Sequence, residues 1–267
     1  METYLIILLC IASFVAGFID AIVGGGGLIQ TPVALVLLPQ VPVASIIGTL
    51  KIPGFSGTSM ATYHYLKKVK DKCTEVGALL ILDEIQSGIG RTGKLFGFEN
   101  YNVIPDIIVA GKGLGGGMPI GAFISSFKIM DCLKQRPKLG HITTFGGHPV
   151  IAAAALATLN VLLNSDLIEQ TLQKEKLFRK LLVHPLIYEI RGRGLMLAPM
   201  VESSEMASKI ILKCLDKGLI MFWLLFEGKA IRITPPLTIS EDEIYKGCNI
   251  LIEVLNEILS EYHTSIK

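Results

Sequence analysis

LLILDEIQSGIGRTGKLFGFENYNVIPDIIVAGKGLGGGMPIG, the stretch Leu79–Gly121, decides the fold. Leu79-Leu80-Ile81-Leu82 and Ile107-Ile108-Val109-Ala110 are short apolar runs. Each has the length of a strand buried in a parallel sheet. Asp83 closes the first run and Lys112 follows the second. In open α/β sheets ligands collect outside the carboxyl ends of the strands, so an acid and an amine at those ends can face one ligand. Gly113 and Gly115-Gly116-Gly117 come next, and a chain without side chains can approach a bound group closely.

Downstream, apolar runs and amphipathic periods alternate, as in an α/β protein. Gly121-Ala122-Phe123-Ile124 reads as a strand, and Thr143-Thr144-Phe145-Gly146-Gly147 as a glycine-bearing loop. Val150–Asn164 is alanine-rich and helical in pattern, and Asp166–Leu182 continues as an amphipathic helix. Ile187–Val201 reads as strands around a turn at Gly192 and Gly194, Glu205–Lys217 as an amphipathic helix, and Ile231-Arg232-Ile233 as a short strand ended by Pro235-Pro236. Ser240-Glu241-Asp242-Glu243 matches a helix N-cap with acids in the first turn, opening a last helix to about Tyr262.

The chain has 267 residues and a net charge of +2, which gives no basis for nucleic-acid binding. Its mean hydropathy of +0.54 is high, and the apolar excess lies mainly near the start. Cys10, Cys73, Cys132, Cys214 and Cys248 are scattered, with neither metal-ligand spacing nor a disulfide framework. Most are expected to be small core residues, and no metal site is expected.

LILDEIQSGIGRTGKLF, PDIIVAGKGLGGGMPIGA, HITTFGGHP and AIRITPPLTIS together resemble the class III, fold-type-I aminotransferases, in the manner of the ornithine and acetylornithine enzymes. The resemblance runs from about Cys73 to the C-terminus. It implies an incomplete α/β PLP-dependent transferase fold, a mostly parallel sheet followed by a C-terminal α+β small domain, using pyridoxal 5'-phosphate (PLP) as cofactor. On this reading Lys112 holds the cofactor covalently and later carries a proton as base and acid. Asp83 faces the pyridine nitrogen, Ile85 packs on the ring and Gln86 bonds the ring hydroxyl. Thr144, with Thr143 beside it, binds the phosphate of a neighbouring subunit's cofactor, which implies a homodimer. Arg232 grips the substrate carboxylate. His148 stands where the family usually has asparagine. From the residues alone, Lys112 also reads as a surface lysine, Asp83 as a helix N-cap acid, Thr144 as a loop hydroxyl and Arg232 as a salt-bridged arginine. Arg191 and Arg193 read as structural.

From Met1 to Leu66 the only charged residues are Glu2, Asp20 and Lys51. Tyr4–Val23 is about one bilayer crossing long and Leu28–Leu38 is shorter. GFIDAIVGGGGLIQTPV and GTLKIPGFSGTSMATYHYLKKVK resemble the start of the sulfite-exporter-like (TauE/SafE) permeases. Lys67, Lys68, Lys70 and Lys72 then read either as a cytoplasmic flank or as a solvated helix face. The expected organisation is a permease-like helical fragment at 1–70, part of a PLP-binding large domain at 71–185 and a small domain at 186–267. Membrane association is expected through residues 4–38, with the aminotransferase part cytoplasmic. The family's first half supplies a phosphate cup and a ring-stacking aromatic, and neither is found between Met1 and Cys73; Gly57-Thr58 only resembles the cup. Transfer of an amino group from an amino-acid or ω-amino donor to a 2-oxo acid is therefore expected in impaired form, with a permease fragment or an inactive fusion as the alternative.

Overall fold

The computed structural model describes residues 59–134, 138 and 142–265. The expectations for residues 4–38, Gly57-Thr58 and Cys10 lie outside them. Contacts divide the chain into Met1–Lys68 and Val69–Lys267, and both described sheets belong to the second unit. No single helix among the described residues is long and apolar enough to cross a membrane.

Helix α1 (Ser59–Val76) runs through the point where the two resemblances meet. It ends in a paired cap: Gly77 N–H donates to Thr74 O and Ala78 N–H to Cys73 O, with Gly77 at φ +72°. Lys72 pairs with Glu75 at 2.7 Å along the helix. Lys70 does more than sit on a solvated face. Its Nζ meets Asp106 Oδ2 at 2.8 Å, and the same oxygen accepts the Leu80 N–H. The Lys70 contact first, and the Leu80 amide second, hold the Asp106 carboxyl below its ordinary range.

Strands β1 (Ile81–Asp83), β2 (Ile107–Gly111) and β3 (Gly121–Ser125) form a sheet in that order. β1 and β2 are parallel, with Ile81 opposite Ile107 and Asp83 opposite Val109. β2 and β3 are antiparallel, with Gly111 opposite Gly121. The expected mostly parallel sheet is therefore corrected for the described strands. A parallel return needs a crossover of a dozen or more residues, and the short link from Lys112 to Ile120 allows only reversal. After β3 come the short helix α2 (Phe127–Asp131) and the alanine-rich helix α3 (Pro149–Leu163). Burial is less complete than the apolar runs suggested. Leu80 and Ala110 are buried, but Ile81 is 55% exposed. The small core on this sheet joins Ala110, Ile89 and Leu114 to Ala155 and Leu162 of α3.

Helix α4 (Leu167–Leu181) leads to a second sheet built from β4 (Glu189–Arg193), β5 (Met196–Met200), β6 (Phe222–Leu224) and β7 (Glu227–Arg232), in the order β4-β5-β7-β6. Helices α5 (Ser204–Asp216) and α6 (Glu241–Ser265) cover it. Their buried residues recur at helical spacing: Met206, Ile210, Cys214 on α5 and Ile244, Cys248, Leu251, Leu255, Ile258 on α6. The last helix opens with the cap read from sequence, Glu243 N–H donating to Ser240 Oγ while Ser240 N–H donates to the Glu243 carboxylate. Cys214 and Cys248 are core residues whose thiols burial pushes up to about 11 and about 12. Cys73 and Cys132 are not buried, so the core expectation holds for only part of the set.

Outside this core, α5 and α6 are joined by a ladder of ion pairs. Lys217 meets Glu253 and Glu257, Lys213 meets Glu257 and Glu261, and Lys209 meets Glu261, at 2.5–3.5 Å. The lysines hold the Glu261 carboxyl down to about 2 and also lower Glu257. A carboxylate depressed in the folded state contributes stability above its unfolded pKa and loses it as pH falls through the folded value. Thermal midpoints are therefore expected to fall between about pH 5 and about pH 2. A Lys213→Ala/Lys217→Ala variant should show a smaller acid-side fall, and wild-type protein should show a smaller one in high salt. Melting curves at pH 6 and pH 3 check this, and equal falls in both proteins would refute it.

Candidate functional site

Asp83 ends β1, and its Oδ1 accepts the Ile85 N–H at 3.0 Å. This is an aspartate turn that carries the chain out of the strand, not a helix N-cap. Oδ2 has no hydrogen-bond or ion partner among the described residues. Because Asp83 pairs with Val109 in a parallel ladder, Lys112 leaves β2 at the same edge, just past the level of Asp83. Lys112 is exposed and opens a 3-10 turn, Lys112–Gly115, at φ +43°. Few non-glycine residues adopt that left-handed conformation. Where one does beside a strand end, the strain is held by surrounding structure. The Ile85 side chain lies against Gly111, its Cγ2 3.4 Å from where a Cβ there would stand. Gln86 is half-buried in the same loop.

Within the glycine run after Lys112, one position is set by packing inside the chain. A Cβ on Gly116 would stand 2.3 Å from Thr158 Oγ1 on α3. The close approach is to a helix of the same chain.

Two residues that shape this edge carry no expectation from sequence. Glu84 is only 3% exposed, and its carboxylate accepts from Gly97 N–H at 2.9 Å, Phe98 N–H at 2.7 Å and the Ser87 hydroxyl. It closes the loop that holds Asp83, Ile85 and Gln86. Arg91 donates Nη1 to Leu195 O at 3.2 Å and to Pro235 O, while its own carbonyl accepts the Leu195 N–H. It fastens the same loop to the turn between β4 and β5 and to the segment after β7. An acid directly following Asp83, with Ser87 three residues on, is the only signal for Glu84. Arg91's carbonyl partners leave no signal at all.

Arg232 ends β7. Arg91 and Arg193 donate to carbonyls. Arg179 bonds Glu175, Ile190 O and Gly192 O, and Arg191 bonds Glu189. Arg232 alone among the described arginines has neither a side-chain hydrogen bond nor an ion pair, and its Nε is buried without a partner. The salt-bridged alternative thus fits Arg191, as expected for a structural residue, and not Arg232. Thr143 and Thr144 lie in an exposed loop ahead of α3, where Thr143 O accepts the Gly146 N–H at 3.2 Å. So the structure brings Asp83, Ile85 and Lys112 to one sheet edge. It sets Arg232 on the other sheet and the threonines in a separate loop, with no hydrogen bond from either to that edge.

His148 takes the N-cap position of α3 and makes no side-chain cap bond. Asparagine accepts from the first-turn amides. His148→Asn is expected to stabilise the protein by about 0.5–1 kcal/mol, read as a higher urea midpoint at unchanged slope; an equal or lower midpoint would refute it.

The donor set fits a pyridine aldehyde: a carboxylate oxygen without a partner, an aliphatic wall and an amine, all at one edge. The Aminotransferase class-III family matches residues 34–255. That match begins well before Cys73, so the likeness to this family reaches further toward the N-terminus than the four motifs suggested. The chain is 43% identical over 212 residues to an acetylornithine aminotransferase of Caldanaerobacter subterraneus subsp. tengcongensis, covering 78% of this chain and 52% of that protein. It is similar to the ornithine aminotransferase of Toxoplasma gondii, a structure described as having partial occupancy of PLP at its active site. The TM-score is 0.67 at 34% identity, over 74% of this chain and 47% of that one. It also resembles the N-acetylornithine aminotransferase of Stenotrophomonas maltophilia, with TM-score 0.65 at 30% identity, over 74% and 52%. The chain spans about half the length of these relatives.

Proposed function

This chain belongs to the class-III aminotransferases, and on that premise we propose that it binds PLP and moves an amino group from an amino-acid or ω-amino donor to a 2-oxo acid. PLP, when bound, supplies an electron sink through its protonated ring nitrogen. Asp83 Oδ2 would accept the hydrogen bond of that ring N–H and keep the proton in place. Lys112 Nζ would hold the cofactor covalently, which requires the neutral amine. Once displaced, it would take the proton from the donor's carbon and return it to the product side. Ile85 would press on the ring face and Gln86 would bond the ring hydroxyl. Thr143 and Thr144 would hold the phosphate across a homodimer, and Arg232 would bind the α-carboxylate. One observation carries the reading: the parallel pairing of β1 and β2 that delivers Asp83 and Lys112 to the same edge.

The test is chemical. The full-length chain is mixed with PLP, reduced with borohydride and digested. The pyridoxyl label is expected on the peptide containing Lys112. A folded protein that takes no label, or takes it on other lysines alone, would overturn the proposal.

We propose also that residues 1–70 carry a permease-like segment that associates with a membrane through residues 4–38, leaving the aminotransferase part on the cytoplasmic side. Its support is the low charge content up to Leu66. The family match from residue 34 competes with it over 34–70. Full-length protein that stays at the bottom of a gradient when mixed with phosphatidylcholine vesicles would sink this part.

A further inference from the structure

We propose that Phe222 is a positioning residue for Arg232, holding its guanidinium plane ready for the carboxylate of an amino or 2-oxo acid. The inference rests on the reading of Arg232 as the carboxylate-binding residue and deepens it. Phe222 lies directly opposite Arg232 in the antiparallel β6–β7 pair. Side chains at such a pair share a face of the sheet. The guanidinium carbon stands 5.1 Å from the centre of the Phe222 ring. An aromatic face attracts a cation within about 6 Å.

The partner's chemistry matters here. An aspartate or glutamate opposite Arg232 would neutralise it and occupy its N–H groups, as Glu189 does for Arg191. A phenyl ring has no acceptor of that kind. Its face attracts the guanidinium charge without accepting a hydrogen bond, so the in-plane N–H groups stay unused. Those are the groups that match a carboxylate in a bidentate bond. The Nε is buried and has no partner among the described residues, so no acceptor of this chain fixes the side chain. Trp223, the next residue, pins the strand: its Nε1–H donates to Ser208 Oγ on α5 at 3.0 Å. The ring of Phe222 is therefore held in register on the opposite side of β6 while remaining 52% exposed, on a surface a small acid can reach.

The experiment measures binding, so it does not depend on turnover. Calorimetric titration of the full-length chain uses pyruvate, with pyruvamide as the uncharged control. Wild-type protein is expected to prefer pyruvate, and Arg232→Gln to lose that preference. Phe222→Leu should weaken pyruvate binding about three- to tenfold without changing pyruvamide binding, and Phe222→Tyr should restore it to within about twofold. In the wild-type protein itself, the Arg232 Nε–H proton resonance, assigned by its loss in Arg232→Gln, should be shifted upfield by the ring. It should move on adding pyruvate. This signal decides the matter even where the leucine variant does not fold.

If Arg232→Gln binds pyruvate like wild type, the underlying reading of Arg232 fails. Three results overturn the role of Phe222 alone, leaving that reading intact. The first is loss in Arg232→Gln with wild-type binding in Phe222→Leu. The second is equal weakening in the leucine and tyrosine variants. The third is an Nε–H resonance without a ring shift.

Discussion

Glu84→Ala is expected to lower the free energy of unfolding by about 3–5 kcal/mol and to leave Lys112 poorly labelled by PLP. The carboxylate of Glu84 accepts the Gly97 and Phe98 amides and the Ser87 hydroxyl in a site almost closed to water. Removing an acceptor from a buried donor costs about 1–3 kcal/mol per stranded group, and the Gly97 amide lies in a buried residue that solvent does not reach. The gap left by the side chain adds to this. Glu84→Gln should cost less, because one amide oxygen still accepts while the NH2 faces a donor. The effect on the site follows from position. Glu84 lies between Asp83 and Ile85, and it closes the loop that also contains Gln86. When that closure is lost, the carboxylate and the aliphatic wall are no longer fixed against Lys112. Urea unfolding of the three proteins, with the borohydride label measured in each, checks both parts. An alanine variant within about 1 kcal/mol of wild type, or one that labels normally, would show that Glu84 does not organise the loop.

Glu84 also marks the limit of what the sequence discloses. Periodic burial is legible, because a helix that covers a core repeats its apolar residues every three or four positions. α5 and α6 do so at Met206, Ile210, Cys214 and at Ile244, Cys248, Leu251, Leu255. The cap at Ser240 and Glu243 is legible for a similar reason, since both partners lie within one turn. A strand run that Asp83 closes and another that Lys112 follows place the two charges at strand ends. Anything set by a distant partner is hidden. Arg91 is fixed by the carbonyls of Leu195 and Pro235, and a carbonyl has no residue type. The lack of an acceptor at the Arg232 Nε is equally hidden, because it depends on which residues fail to reach it. The direction of β3 requires weighing the length of the Lys112–Ile120 link against the apolar pattern. Strand β6 leaves no trace. Its three residues sit within the unbroken apolar run Met221–Phe226, and the register against β7 slips between Trp223 and Leu224, so no alternation survives.

Gly116→Val should be strongly damaging although it leaves every proposed site residue in place. Gly116 sits at φ +57°, and its missing Cβ would stand 2.3 Å from Thr158 Oγ1. Two costs combine. A left-handed backbone carrying a side chain costs roughly 1–2 kcal/mol. Forcing extra carbon into a closed contact adds about 1–3 kcal/mol. The hydroxyl has little freedom to withdraw, since Thr158 Oγ1 also donates to Ala154 O at 3.0 Å within α3. The expected loss is therefore about 2–5 kcal/mol. The two parts can be separated. In a Thr158→Ala background, Gly116→Ala should keep only the backbone cost, so the pair should be non-additive by at least about 0.5 kcal/mol. Additive costs would mean that the helix does not bear on the glycine. The consequence for function comes through the turn that Gly116 terminates, where its N–H donates to Gly113 O at 3.2 Å. That turn begins at Lys112, already at φ +43°. Pushing α3 away from Gly116 removes the packing that holds this strained conformation. Lys112 can then relax, and its amine leaves the edge it shares with Asp83. A Gly116→Val protein that still folds is expected to lose the pyridoxyl label on Lys112, although every proposed site side chain remains present.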